Sequence, residues 1–190
     1  MVDGAWVAIT LDNVAETHLA RGNGNAAAKY LYSTLNHATP LYTWCEERGQ
    51  EPGTTKCSGD RQHLWTPVAV VRAIRDMLVL ENGDGLDLAL GTDPDWLGSG
   101  KLVGIQDAST HFGIISYELC YDSATSAVTG KIILDNKFPP KWVEMHIRLP
   151  EGLKVKSVDP ASGATVTENM NSIKWNKPRG NMKFRAKMGL

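Results

Sequence analysis

The sequence predicts an α+β protein, a partial helical segment of about three helices followed by an antiparallel β-sandwich. Two observations carry this. Apolar residues recur at three- and four-residue intervals as far as Leu80, and at two-residue intervals from Leu86 onward. Between the two regimes stands Asn82-Gly83-Asp84-Gly85, a strong turn signal that divides a helical segment at 1–84 from a sandwich domain at 85–190. At 190 residues the chain is long enough to bury a core.

The first helix is expected over Asp3 to Ala20, where Trp6, Ile9, Val14 and Leu19 form an imperfect stripe. Arg21-Gly22-Asn23-Gly24-Asn25 breaks it. Gly22 suits a left-handed helix end, and Asn23 or Asn25 suits an N-cap. The second helix, Ala26 to His37, stops before Pro40, whose ring biases Thr39 towards extended backbone. A connection this short predicts that the two pack as an antiparallel hairpin.

Pro67 fits a helix only in its first turn, which places the start of the third near Trp65. Val68, Val71, Ile74 or Arg75, and Leu78 then share a stripe, widened by Val70, Met77 and Leu80, so this helix is expected to be buried on more than one side.

Beyond Gly85, Leu86, Leu88 and Leu90 alternate with Asp87 and Ala89. Residues 114 to 119, 127 to 134 and 143 to 149 predict strands, and Leu153-Val155, Ile173-Trp175 and Met182-Phe184-Ala186-Met188 continue the pattern. Turns at Pro139-Pro140, Pro150-Glu151-Gly152, Asp159-Pro160 and Lys177-Pro178-Arg179-Gly180 separate them. Lys183, Arg185 and Lys187 alternate with apolar residues, as on the wet face of an edge strand, where lysine deters edge-to-edge pairing.

A net charge of −1 provides no general field for nucleic acid or an anionic membrane, so neither partner is expected. No apolar run approaches membrane-spanning length, and Met1 to Thr10 lack the pattern of a signal peptide. Three cysteines are too few for a disulfide framework; Cys45 and Cys57 read as free thiols or as one staple. Cys45, Cys57 and His63 lack the short paired spacing of a zinc site, so no metal is expected. Phosphate loops and nucleotide fingerprints are missing from the sequence, and no cofactor is expected.

The chemistry concentrates between Ala38 and Val79. Glu46 and Glu47 read either as solvated surface or as carboxylates at a sugar site, where Tyr42, Trp44 and Trp65 would offer flat apolar faces for C–H stacking. Trp65, in the first turn of a helix expected to be buried, reads more readily as a core residue. His63 could donate to a sugar hydroxyl, cap a helix or hold a glutamate.

Leu31 to Pro40, Thr43-Trp44-Cys45-Glu46-Glu47, Gly59 to Trp65, Val70 to Val79, Leu86 to Gly91, Trp96-Leu97 and Thr110 to Ser116 occur in an order that resembles the end of an (α/α)6-barrel glycosidase. The similarity is to the six-hairpin glycosidases, above all the α-L-rhamnosidase-like group, in which the last barrel helix leads into a C-terminal β-sandwich. It runs from about Val14 to Leu119; beyond Cys120 only the architecture is alike.

In that group the segment resembling Thr43 to Glu47 reads T-x-W-E, and its glutamate is the general base. The resemblance assigns that role to Glu46, with Glu47 as second choice, and Cys45 stands where the group has tryptophan. His63 matches the histidine after the loop. It also implies that the general acid and most sugar-binding residues come from earlier barrel helices. The chain then reads as the C-terminal part of a glycoside hydrolase, inactive alone, whose partner in the whole enzyme is carbohydrate. The other reading is a non-catalytic carbohydrate-binding or structural module. Val68, Val71 and Leu78, stripped of barrel neighbours, would favour self-association through the helices or packing back on the sandwich.

Overall fold

The computed structural model describes residues 4–190 other than 50, 52, 53, 136, 162 and 170. The chain forms two compact units, Met1–Met77 and Leu78–Leu190.

In the first unit, β1 (Gly4–Trp6) leads into a helical run of α1 (Val7–Ile9), a π-helical stretch (Thr10–Ala15) and α2 (Glu16–Ala20). The helix start expected at Asp3 lies outside the described residues. The wider π turn explains the imperfect stripe. Its side chains realign after four residues or more, and Val7, Leu11, Ala15 and Leu19 form the buried row, with Ala8 beside it. Gly22 ends the run at φ 74°. The Asn23 side chain then accepts from the Ala26 N–H at 3.3 Å and caps α3 (Gly24–Asn36).

Helix α3 buries Ala27, Ala28, Leu31 and Thr34, and the His18 and Tyr30 rings stack at 5.6 Å between centroids. Two short strands, β2 (Glu47–Gly49) and β3 (Cys57–Ser58), join β1 in an antiparallel sheet of order β1-β2-β3. The sequence reading does not anticipate this sheet, because its strands are too short to show a period of two.

Helix α4 (Trp65–Leu78) takes Pro67 in its first turn, as expected. It buries Thr66, Ala69, Val70, Ala73 and Met77, which is one face. The expectation of burial on more than one side is corrected, since Val68 and Val71 are 64% and 68% exposed. Arg72 pairs with Glu16 and approaches Asp12 at 3.9 Å, while the Trp65 indole N–H donates to Asp12 at 2.5 Å. These contacts tie α4 to the first helical run.

The second unit begins where the third helix was expected to continue. β4 (Val79–Asn82) turns back on β5 (Gly85–Leu88), with Asn82 facing Gly85. The strong turn is therefore a two-residue hairpin loop, with Gly83 at φ 57°, and not the end of a helix. Over so short a stretch as Val79 to Asn82 helical and strand periodicity are indistinguishable.

The remaining strands are β6 (Leu102–Thr110), β7 (Gly113–Asp122), β8 (Ala127–Leu134), β9 (Trp142–His146), β10 (Lys154–Asp159), β11 (Ala164–Val166), β12 (Ser172–Asn176) and β13 (Asn181–Gly189). They form two five-stranded sheets, ordered β11-β12-β9-β5-β4 and β10-β13-β8-β7-β6. The sandwich is as expected, with one refinement: β5 and β9 run parallel, Leu86 opposite Val143 and Leu88 opposite Met145.

Leu86, Leu88, Ile115, Ile132, Met145 and Ile173 are fully buried in a shared core, and the Trp175 and Phe184 rings meet at 5.2 Å. Leu78 packs against the same core, so it does not share the exposed face of Val68 and Val71. Two glycines admit aromatic rings. A Cβ on Gly85 would fall 2.2 Å from the Trp142 indole, and one on Gly130 would fall 2.3 Å from the Phe184 ring.

Two features escape the period-two reading. β6 is broken by a bulge between Ile105 and Ala108, which shifts its in–out alternation by a residue. β13 is not an edge strand: it lies between β10 and β8. Its alternating cations therefore do not guard a sheet edge.

Candidate functional site

The loop after α3 is shaped by Thr39, whose hydroxyl accepts from the Leu41 and Thr43 backbone N–H groups at 3.3 and 3.2 Å. This throws Tyr42 to the tip at φ 55°, 72% exposed. Trp44 then turns inward. It is 3% exposed, its indole N–H donates to the Thr34 carbonyl at 2.8 Å, and its own carbonyl accepts from the His63 N–H at 3.0 Å. A stacking platform must present a face to solvent, so the expected sugar-binding role of Trp44 is corrected: it is a core residue that fixes the loop.

Glu46 and Glu47 have different surroundings. Glu47 is 5% exposed on β2 and accepts from the Ser58 hydroxyl at 2.6 Å across the β2–β3 ladder. Glu46, just before β2, is part-exposed, and its carboxylate lies over Gly59. A Cβ on Gly59 would come 2.5 Å from Glu46 Oε2, and Gly59 sits at φ 71°, so glycine is required there twice over. Of the two carboxylates, Glu46 is the one open to solvent.

His63 and Trp65 stand together, their rings 6.1 Å apart and edge-on. The His63 Nδ1 is buried with no hydrogen-bond partner among the described residues. Trp65 is 39% exposed while its N–H is held by Asp12. The fold thus brings His63 beside Trp65 and pins it to Trp44, and leaves Tyr42 at the turn tip.

Cys45 and Cys57 are free thiols. Burial pushes the Cys45 thiol up from its ordinary value, and the hydrogen bond and charge of Cys57 push it the same way, against Arg48 and Arg61. Among the described residues no group of three or more His, Cys, Asp or Glu side chains is placed to hold a metal ion. Among the described residues no helix is long and apolar enough to cross a membrane.

The sandwich carries two polar sites that sequence reasoning missed. On β5, β9 and β12, His146 Nε2 lies 2.8 Å from Asp87, which also accepts from Asn82 at 3.0 Å. Ser172 stands opposite His146 in the ladder. This is not a hydrolytic triad, because the Ser172 hydroxyl donates to Glu144 at 2.6 Å and is fully buried. The second is a groove of about 550 Å³ on the outer face of β6–β8, lined by Leu102, Gly104, Asp107, Ser116, Glu118 and Lys131 among others. The sequence signal for it was Gly104, a glycine inside a strand, which marks a bulge or a close approach.

No known protein family matches the chain, and no curated protein does.

Proposed function

We propose that the chain is the C-terminal portion of a carbohydrate-active enzyme of the glycoside hydrolase kind, with Glu46 as its general base and the sandwich as a brace for the helices. The observation that carries this reading is the setting of Glu46. It is a part-exposed carboxylate seated on Gly59, in the loop that leads into the exposed Trp65 at the start of α4. A base of this kind activates water on one face of a sugar, while a second carboxyl on the other face protonates the leaving oxygen. The reading takes that acid from helices outside these residues.

Acid and base assistance each contribute about 10²–10⁴ in rate. The isolated chain is therefore expected to release no sugar from aryl α-L-rhamnosides or other aryl glycosides, and sugar release lost on Glu46→Gln would overturn that part. The DNA 5′ of this reading frame is expected to encode in-frame helical hairpins. In the longer protein Glu46→Gln should lower turnover about 10²–10⁴-fold. A coding region without such hairpins, or full turnover by that variant, would sink the enzyme reading.

The row Leu64, Val68 and Val71 on and before α4, 77%, 64% and 68% exposed, supports a helix that packs against further protein. Self-association of the isolated chain is accordingly expected in light scattering, reduced by Val68→Ser with Val71→Ser. A monodisperse monomer at all concentrations would count against it. The second reading, a non-catalytic carbohydrate-binding module, is favoured by the groove on β6–β8.

A further inference from the structure

We propose that the outer face of β6, β7, β8 and β13 binds an anionic polysaccharide, a glycan chain bearing carboxylates or sulfates. The chain would run from the groove at Gly104 onto the basic strip of β13. This rests on the carbohydrate reading above and narrows its substrate class.

The strip is anomalous as a mere surface. Lys183, Arg185 and Lys187 are exposed at two-residue steps along β13, which spaces them about 7 Å apart. Lys131 of β8 stands directly opposite Lys183, an arrangement in which like charges repel. Glu118 faces Lys131 from β7, and Asp159 faces Arg185 from β10. Among the described residues none of the four cations makes an ion pair, with these acids or any other. Because β13 is an interior strand, the cations do not deter edge pairing either. A row of like charges without ion-pair partners, in which only Arg185 feels a further acid, Asp122 of β7, is matched by a polyanion that supplies them.

The groove determines what kind of polyanion. Lys131 belongs to it as well as to the strip, so the two surfaces are continuous. Gly104 in the groove lining lets β7 approach closely, since a Cβ there would fall 2.1 Å from the Tyr117 carbonyl oxygen. Asp107 is held at φ 53° in the β6 bulge, its N–H donating to Ser116 Oγ at 2.9 Å. Asp107 and Glu118 are acceptors for sugar hydroxyls and repel any anionic group, so the groove takes the hydroxyl-bearing edge of the glycan and leaves its anions to the strip. Of the described side chains on this outer face none is aromatic, so nucleobases have nothing to stack on. Hydroxyls at one end and regularly spaced anions along the rest describe an acidic glycan.

The test titrates the 190-residue chain with an oligogalacturonate, its methyl-esterified form, a neutral glucan oligomer and a single-stranded oligonucleotide of matched charge. The oligogalacturonate is expected to bind, more weakly as salt is added. Binding should fall at least about tenfold in Lys183→Gln/Arg185→Gln/Lys187→Gln and stay unchanged in Lys29→Gln. The triple variant changes only exposed side chains, and its melting temperature should hold or rise as the Lys131–Lys183 repulsion is relieved. Equal affinity of the triple variant, tighter binding of the oligonucleotide, or no binding of the oligogalacturonate would each overturn the proposal. Equal binding of the ester or the neutral glucan would overturn it while leaving the carbohydrate reading intact. That reading is decided separately by the upstream DNA.

Discussion

Trp44→Ala is expected to destabilise the helical unit by about 3–5 kcal/mol, the range for truncating a buried aromatic. The indole is 3% exposed and its N–H is spent on the Thr34 carbonyl in the last turn of α3. The same residue's backbone holds His63, so the loop carrying Glu46 loses its anchor with the side chain. Trp44→Phe keeps most of the packing and should cost less, with about 1 kcal/mol of the loss from the missing hydrogen bond. Urea unfolding followed by far-UV circular dichroism, with hydrogen exchange on the α3 amides, separates the two. A Trp44→Ala chain of unchanged stability that had lost glycan binding would restore Trp44 to the sugar site.

Acid should destabilise the sandwich through Asp87, and Asp87→Ala should weaken that sensitivity at a cost of about 3 kcal/mol. Burial alone would raise the Asp87 carboxyl. Hydrogen bonds from His146 and Asn82, with the charges of His146 and Lys174, outweigh it and hold the carboxyl below its ordinary value. A carboxylate lowered on folding adds stability above its unfolded value. That stability is lost as the pH falls below about 4, through the folded value. The wild-type chain should thus show a steep acid limb in thermal melts of the sandwich, and Asp87→Ala a shallower one from a lower plateau. Matching acid limbs would mean that other carboxylates carry the transition.

The fold class was legible because it depends on periodicity. Met182, Phe184, Ala186 and Met188 alternate with cations whatever strand they pair with, and Pro67 permits only a helix start. Boundaries were less legible. Val79 to Asn82 satisfies either period, and only its pairing with β5 makes it a strand. In the loop, sequence ranked Glu46 over Glu47 only through a resemblance; the side chain of Ser58 and the bare backbone of Gly59 separate a bonded, buried carboxylate from an accessible one.

Sequence by itself determined local matters: which strand residues face the sandwich core, where α3 caps and turns fall, and the absence of a strong charge bias. These follow from steric and hydrophobic preferences that act within a few residues along the chain. Tertiary structure alone decided strand order, and with it that β13 is interior and that Lys131 faces Lys183. It also turned Trp44 inward and left α4 with an exposed apolar row. Those outcomes depend on contacts between residues far apart in sequence, whose pairing no local pattern encodes.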